Sequence, residues 1–472
     1  MVWMIGILLI GLGIVPLTAN AQSTDKDLTG IWVGALDVNT IKLRLVFEVT
    51  RKEKGYTAIL KSLDQGGQPI PCSEATLSEG NAHFGVAIVN GGFDGKLSAD
   101  GNTLTGTWMQ GGGSLPLTLT RSDAVPTIHR PQEPKPPYPY TSEDVTYPSL
   151  QAGVTLAGTL TLPKGTGPFP VALLITGSGP QNRDEEILGH KPFLVLSDYL
   201  TRHGIAVLRV DDRGIAKSTG NFATATSADF AEDVRGGVAY LKTRKEIDPK
   251  KIGLIGHSEG GFIAPMIAST SKDISFIVMM AGPGVPGNEI VLEQSALIAK
   301  SAGEPDSILT LNRNLMTKAF SIIKAEPDNA AARTKIESAC EQEVKALPSD
   351  QQAAAKAINA EVDRQMGSLL SPWFRYFLTT DPRDFLRKVT CPTLAINGAK
   401  DMQVPPKQNL PEIQKALTAA GNTHFVVKEL PGLNHLFQTC TTGAPSEYST
   451  IEETIAPIAL ETIGDWIHST VQ

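Results

Sequence analysis

The sequence predicts an α/β protein. A mostly parallel sheet is covered by helices on both faces, carries a helical insertion, and follows a small all-β domain. Three observations carry this expectation. Over 28–121, apolar and polar residues alternate between glycine-rich turns, and helix signals are nearly absent. From about 142, near-continuous apolar runs alternate with helical patterns, as strands buried on both faces require. Between about 286 and 387 the apolar runs stop, and an Ala-, Glu-, Lys- and Leu-rich stretch reads as several helices. With 472 residues, 41% of them hydrophobic, the chain can fill two or three packed cores, which excludes wholesale disorder. A formal net charge of −7 without a basic stripe argues against a nucleic-acid partner. Four cysteines do not make a disulfide scaffold, and no Cys/His cluster suggests a metal.

Residues 1–21 read as a signal peptide. They are apolar through Leu17 and end in Ala19-Asn20-Ala21, a small-x-small cleavage pattern, although no Lys or Arg precedes the apolar core. No later stretch is apolar enough to span a bilayer, so a periplasmic or secreted protein without a membrane span is expected after cleavage. In the β domain, Leu43, Leu45, Phe47 and Val49 alternate with Arg44, Val46 and Glu48, and the turns predict a sandwich or barrel of about eight strands. His83 reads as an ordinary sheet histidine rather than a ligand. The segment 122–141 holds five prolines between His129 and Tyr140 and reads as an extended linker. The α/β domain, 142–472, is expected to place strands at 154–162, 171–175, 204–210, 252–255, 275–280, 393–396 and 425–430. A helix over 228–242 has its apolar stripe at Phe230, Val234, Val238 and Leu241. The insertion, about 286–387, leaves the sheet after the 275–280 strand and is expected to cap the site.

The chemistry concentrates in loops that follow strands. Gly256-His257-Ser258-Glu259-Gly260 lies between an apolar strand and a helix. Small residues two before and two after a serine allow a sharp strand-to-helix turn that presents its hydroxyl, so Ser258 is the expected nucleophile. The alternative, a tight glycine turn with a capping serine, does not need both flanking elements. A serine needs a base, and the base an orienting carboxylate. Three histidines follow Ser258. His424 begins a strand and His468 lies in a terminal helix, whereas His435 sits in a loop just after a strand, where a base can reach the nucleophile. Asp401 follows the preceding strand at the same sheet edge. Its rivals, Asp211 and Asp212, sit beside Arg213 and read as members of a structural ion pair. The loop Gly177-Ser178-Gly179, after the 171–175 strand, and the amide of Glu259 are the expected oxyanion donors.

These segments resemble a known family. Gly177-Ser-Gly-Pro-Gln-Asn-Arg-Asp184, Asp212-Arg-Gly-Ile-Ala-Lys-Ser-Thr-Gly220, Gly256-His-Ser-Glu-Gly-Gly261, Asn397-Gly-Ala-Lys-Asp401 and Leu433-Asn-His-Leu-Phe437 are similar to the α/β-hydrolase superfamily, and within it to EstD-type secreted bacterial carboxylesterases. The resemblance covers nearly all of the chain after residue 21. It implies an α/β-hydrolase sheet with a helical cap, a Ser258-His435-Asp401 triad, no cofactor, and small-molecule esters with short acyl chains as substrates. Thioesterase, acyltransferase or serine aminopeptidase activity would use the same triad. A non-catalytic envelope-binding protein, with the β domain as binder, is the reading from another class. For the cysteines, a Cys340–Cys440 bridge fixing the cap over the histidine loop stands beside four unpaired thiols.

Overall fold

The computed structural model describes residues 27–38, 41–65, 67–111, 113–126, 129–347 and 352–471; the expected signal peptide lies outside them. The described chain divides into two compact units. The larger holds 130–186 and 191–471, and the smaller holds the residues before 130 together with Ile187–His190.

The smaller unit carries nine strands: β1 (Gly30–Val38), β2 (Ile41–Arg51), β3 (Tyr56–Ser62), β4 (Ile70–Pro71), β5 (Glu74–Ser78), β6 (Asn81–Val86), β7 (Gly91–Leu97), β8 (Thr103–Gln110) and β9 (Gly113–Ser122). They form one antiparallel sheet in the order β4-β3-β2-β1-β9-β8-β7-β6-β5. The two edge strands are neighbours in the chain. Cys72 continues the β3–β4 ladder by donating to the Ala58 carbonyl, and Ser73 continues the β5–β6 ladder by donating to Gly85. Two residues cannot bridge a flat nine-stranded sheet, so the sheet rolls round on itself. The alternation in β2 puts Leu45, Phe47 and Val49 inside, where Phe47 stacks on Phe84 with ring centroids 4.7 Å apart, and Trp32 donates its indole N–H to the Leu28 carbonyl at 2.7 Å. The ninth strand, beyond the eight expected, is the two-residue β4, too short to show a period.

The larger unit adds β10 (Thr141–Pro148), β11 (Thr155–Leu162), β12 (Phe169–Ile175), β13 (Ala206–Val210), β14 (Ile247–His257), β15 (Phe276–Met280), β16 (Thr393–Gly398) and β17 (Phe425–Leu430), in the order β10-β11-β13-β12-β14-β15-β16-β17. The pairings β10–β11 and β11–β13 are antiparallel, and the five that follow across the sheet are parallel. Its helices are α1 (Pro192–Arg202), α2 (Ser227–Lys242), α3 (Gly260–Ala268), α4 (Gly287–Ser301), α5 (Asp306–Ala325), α6 (Asn329–Ala346), α7 (Gln352–Leu369), α8 (Pro372–Thr379), α9 (Arg383–Leu386), α10 (Pro406–Ala419) and α11 (Pro457–Val471).

Side chains along β12 show why the strands are apolar throughout. Val171, Leu173 and Ile175 join a core with α2, α3 and α10, while Ala172 and Leu174 join a second core with α1 and α11 on the other face. Helix α2 starts on a capping box, in which the Thr226 hydroxyl accepts from the Asp229 amide and the Asp229 carboxylate from the Thr226 amide. Val234, Val238 and Leu241 are buried as their spacing predicts, and Phe230 packs against the same core. Helices α4–α8 enclose a core of their own around Leu315, Phe320, Ile336 and Phe374. No described helix is long and apolar enough to cross a membrane.

Two expectations change. The proline-rich segment is held against the chain near its C-terminal end: Arg130 donates to the carbonyls of Ser449 and Ile451, and Gln132 exchanges hydrogen bonds with Ile455. The Cys340–Cys440 bridge is not formed. All four cysteines are free, Cys340 lies inside the helical insertion, and Cys440 donates its thiol to the Gly432 carbonyl.

Phe47→Ala should lower stability by about 3–5 kcal/mol, since the rolled sheet would keep most of the cavity left behind. Urea denaturation of the whole chain, followed by circular dichroism, measures this. A loss below about 1 kcal/mol would mean that the interior collapses around the gap.

Candidate active site

The turn between β14 and α3 is set by contacts that exclude side chains. A Cβ on Gly256 would lie 1.9 Å from the Gly260 carbonyl oxygen, and one on Gly260 2.1 Å from that of Ile175. Between these glycines Ser258 adopts φ = +52°, a left-handed conformation that is strained for a residue with a side chain. The strain is held in place by two backbone bonds: the Ser258 amide donates to Met280 on β15 at 2.8 Å, and its carbonyl accepts from Gly261 at 2.9 Å. The Ser258 hydroxyl makes no hydrogen bond among the described residues, and the residue lines a cavity.

Two loops approach from the neighbouring strands. Asp401 follows β16 and His435 follows β17, with His435 Nδ1 2.8 Å from Asp401 Oδ2. Both side chains are almost sealed from solvent, at 5% and 0% exposure. Asp401 Oδ1 accepts from the amides of Gln403 and Val404 at 2.7 and 2.9 Å, so the carboxylate is fixed before it meets the imidazole. Asn434 shapes the histidine loop by accepting from the amides of Leu436 and Gln438. The rings of His435 and His257 lie 4.9 Å apart, which brings His435 next to the serine turn. His424 is exposed at the amino end of β17, and His468 occupies the last turn of α11, as their sequence positions suggested.

The loop after β12 is gripped by carboxyl groups. Asp212 accepts from the Thr176 hydroxyl at 2.7 Å and the Gln181 amide at 2.9 Å, and Glu185 accepts from the Gly177 amide at 2.6 Å. That last bond corrects one expectation, because a Gly177 N–H committed to Glu185 has no capacity left for an oxyanion. Ser178 and Gly179 line the cavity with Ser258 and Glu259, and the amides of Ser178, Gly179 and Glu259 donate to no described residue. Desolvation, with the charges of Glu259 and Glu185 adding to it, holds the Asp212 carboxyl well above the usual carboxylate range.

The expected pairing of Arg213 with Asp211 or Asp212 is also corrected. After Asp212 the chain turns at Gly214, which has φ = +75°, and Arg213 instead forms a two-point pair with Asp233 on α2 at 2.7 and 2.8 Å. Asp211 pairs with Arg183 in the same two-point manner.

Sequence reasoning did not single out the side chains of Glu185, His257 and Glu259. Glu259 is buried, and its Oε1 accepts from the Ser227 hydroxyl at 2.6 Å and the Trp373 indole at 2.7 Å, tying the serine turn to α2 and α8; burial pushes its carboxyl up. His257 lies between Glu185, 3.0 Å from Nδ1, and the His435 carbonyl, 3.0 Å from Nε2. Burial opposes its charge, but Glu185 prevails and raises its pKa. The cavity itself is about 580 Å³ and mostly apolar, with Phe222, Ile290, Val291, Trp373, Phe374 and Phe377 among its walls.

The family described as serine aminopeptidase, S33 matches residues 192–439, more than half of the chain and all of the segment from α1 to the histidine loop. The chain belongs to this family. With the S33 family it belongs to the hydrolases. Among curated relatives, this S33 hydrolase is 36% identical over 139 residues to esterase EstD of Thermotoga maritima, a match covering 29% of this chain and 33% of EstD. It is 29% identical over 157 residues to thiohydrolase apmlB of Arthrinium phaeospermum, covering 31% and 45%. The chain thus spans less than half the length of either relative. Among solved structures, the Pyrococcus furiosus esterase Pf2001 aligns with 70% of this chain and 93% of its own at 16% identity and a TM-score of 0.39.

The raised Asp212 carboxyl predicts a pH effect. The folded chain keeps this proton over a range in which the unfolded chain, with a pKa near 3.8, has lost it. The stabilisation is therefore complete below that value and is lost as pH rises through the folded pKa. Asp212→Asn removes the titration, so the melting temperature of the variant should gain on that of the parent chain as pH rises above 4. A difference that stays constant with pH would mean that Asp212 is ionised in the fold.

Proposed function

We propose that the protein is an exported serine hydrolase that cleaves carboxylic esters through an acyl-enzyme. Ser258 is the nucleophile, His435 the base and Asp401 its orienting carboxylate. The observation that carries this reading is the fixed Asp401–His435 pair at the sheet edge where Ser258 is held in a left-handed turn. In the reaction, His435 Nε2 takes the Ser258 proton as Oγ attacks the ester carbonyl. The Nδ1–H keeps donating to the Asp401 carboxylate, which stabilises the imidazolium. The amides of Ser178 and Glu259 receive the oxyanion, and His435 returns the proton to the leaving alcohol. Water, activated by the same imidazole, then releases the acid. Export is supported by the sequence of residues 1–21 alone.

Esters are favoured over the aminoacyl substrates in the family's name by the charge of the cavity. Glu259 is the one acidic residue among the described residues that line it, and its Oε1 already accepts from Ser227 and Trp373. A substrate ammonium group would meet a carboxyl that burial pushes toward its neutral form. The cavity volume also exceeds the need of an acetyl group, since pockets of about 300–1,000 Å³ bury drug-sized ligands.

Ser258→Ala should lower turnover by about 10⁶, and Asp401→Asn by about 10⁴, because the imidazole would lose the acceptor that fixes its tautomer. Both variants should melt within a few degrees of the parent chain. A Ser258→Ala protein retaining more than a few per cent of the activity would remove Ser258 from this role. Against a panel of p-nitrophenyl esters, kcat/KM should rise from acetate to hexanoate as added methylenes enter the apolar cavity, each contributing up to about 0.8 kcal/mol. Aminoacyl anilides should be poor substrates, and their preferred cleavage would favour a peptidase.

A further inference from the structure

We propose that Glu185 and His257 form the positioning couple of this site, a buried pair sharing one proton that ties the oxyanion loop and the histidine loop to the serine turn. The proposal rests on the assignment of Ser258, His435 and Asp401 made above. Its geometry is specific. A backbone carbonyl accepts and never donates, so the 3.0 Å contact to the His435 carbonyl requires a proton on His257 Nε2. Nδ1 then faces Glu185 Oε1 at 3.0 Å with one more proton between them. The same Oε1 accepts the Gly177 amide at 2.6 Å. One carboxylate oxygen therefore holds the oxyanion loop, and one imidazole holds the histidine loop. The imidazole belongs to the residue adjacent to Ser258, so three loops from β12, β14 and β17 share a single polar junction.

The couple also balances charge. Glu185 and His257 are both buried, with side-chain exposures of 4% and 8%. A lone Glu185 carboxylate beside the oxyanion loop would oppose the negative charge that develops there, whereas the shared proton makes the pair neutral overall. The charged and titratable groups facing it are few. Asp401 favours the charged imidazole from the β16 loop, the His435 ring lies 4.9 Å away, and Asp212 feels Glu185 from the β13 loop. When the shared proton leaves as pH rises, lone pairs of Nδ1 and Oε1 face each other and the junction opens. Glu185 holds His257 charged above its ordinary range, so this loss comes at a higher pH than for a free imidazole.

The test uses the full chain and a p-nitrophenyl ester. Glu185→Gln keeps the size of the side chain and removes its charge. It should lower kcat by about 10²-fold, the cost of a small misplacement of reacting groups, with KM changed less than about threefold and the alkaline limb displaced by about one pH unit toward acid. Glu185→Asp, which keeps the charge, should recover part of kcat and restore the limb. Nitrogen-15 histidine spectra of the unaltered protein provide a readout independent of turnover. The imidazole in contact with Phe437 should lose its second ring proton at a higher pH than a free imidazole does. A kcat within about threefold of the parent with an unmoved limb in Glu185→Gln, or a His257 that titrates no higher than a free imidazole, overturns the couple. If Ser258→Ala remains active while His257 is found charged, it is the assignment of the nucleophile that fails.

Discussion

The close approach of Gly256 to Gly260 leaves less than 2 Å for any side chain, and the presentation of Ser258 to the other groups at the site depends on it. The approach bends β14 into α3 within three residues and forces Ser258 into a left-handed conformation. That conformation is unfavourable for serine and persists because its surroundings over-determine it: β15 holds the Ser258 amide, α3 holds its carbonyl, and Ile175 of β12 closes over Gly260. All three neighbours belong to the packed sheet and to α3, so the strain is supported by the interior rather than by a mobile loop.

Electrostatics impose a second requirement. Asp212, Glu185 and Glu259 all stand beside the amides that are assigned to a developing negative charge. Three ionised carboxylates there would oppose it. The structure answers each differently. Burial pushes Glu259 toward its neutral form, desolvation and its two acidic neighbours push Asp212 the same way, and Glu185 faces the raised imidazole of His257. The loop therefore has acceptors in quantity to fix its backbone without accumulating the charge those acceptors would carry in water.

What the sequence reveals depends on whether its information is local. The glycine spacing around Ser258 is a local steric requirement, and it is legible as such. The positions of Asp401 and His435 are legible because each follows an apolar strand, and parallel strands deliver their following loops to one edge. Partners distant in the chain are not legible in this way. Arg213 adjoins Asp211 and Asp212 in sequence, yet the turn at Gly214 sends its guanidinium to Asp233, and Asp211 is left to Arg183. The Gly177 amide looks available until Glu185, eight residues on, is found to hold it. Strand β4, with two residues, and the docked proline-rich segment lack any period that would announce them.

The contact between Trp373 and Glu259 decides how the helical insertion relates to the chemistry. The insertion leaves the sheet after β15 and returns at β16, so its two ends already flank the strand that holds the Ser258 amide. Helix α8 adds a direct bond from its indole to the residue that follows Ser258, and the same carboxyl accepts from Ser227 at the start of α2. Trp373 stacks on Phe377 with ring planes 9° apart, and both line the cavity. A group that displaces these rings must therefore strain the bond to Glu259, whose backbone amide is assigned to the oxyanion. Cavity shape and the placement of that amide are joined through one side chain, so the fit of the substrate's apolar part bears directly on the geometry in which its carbonyl is received.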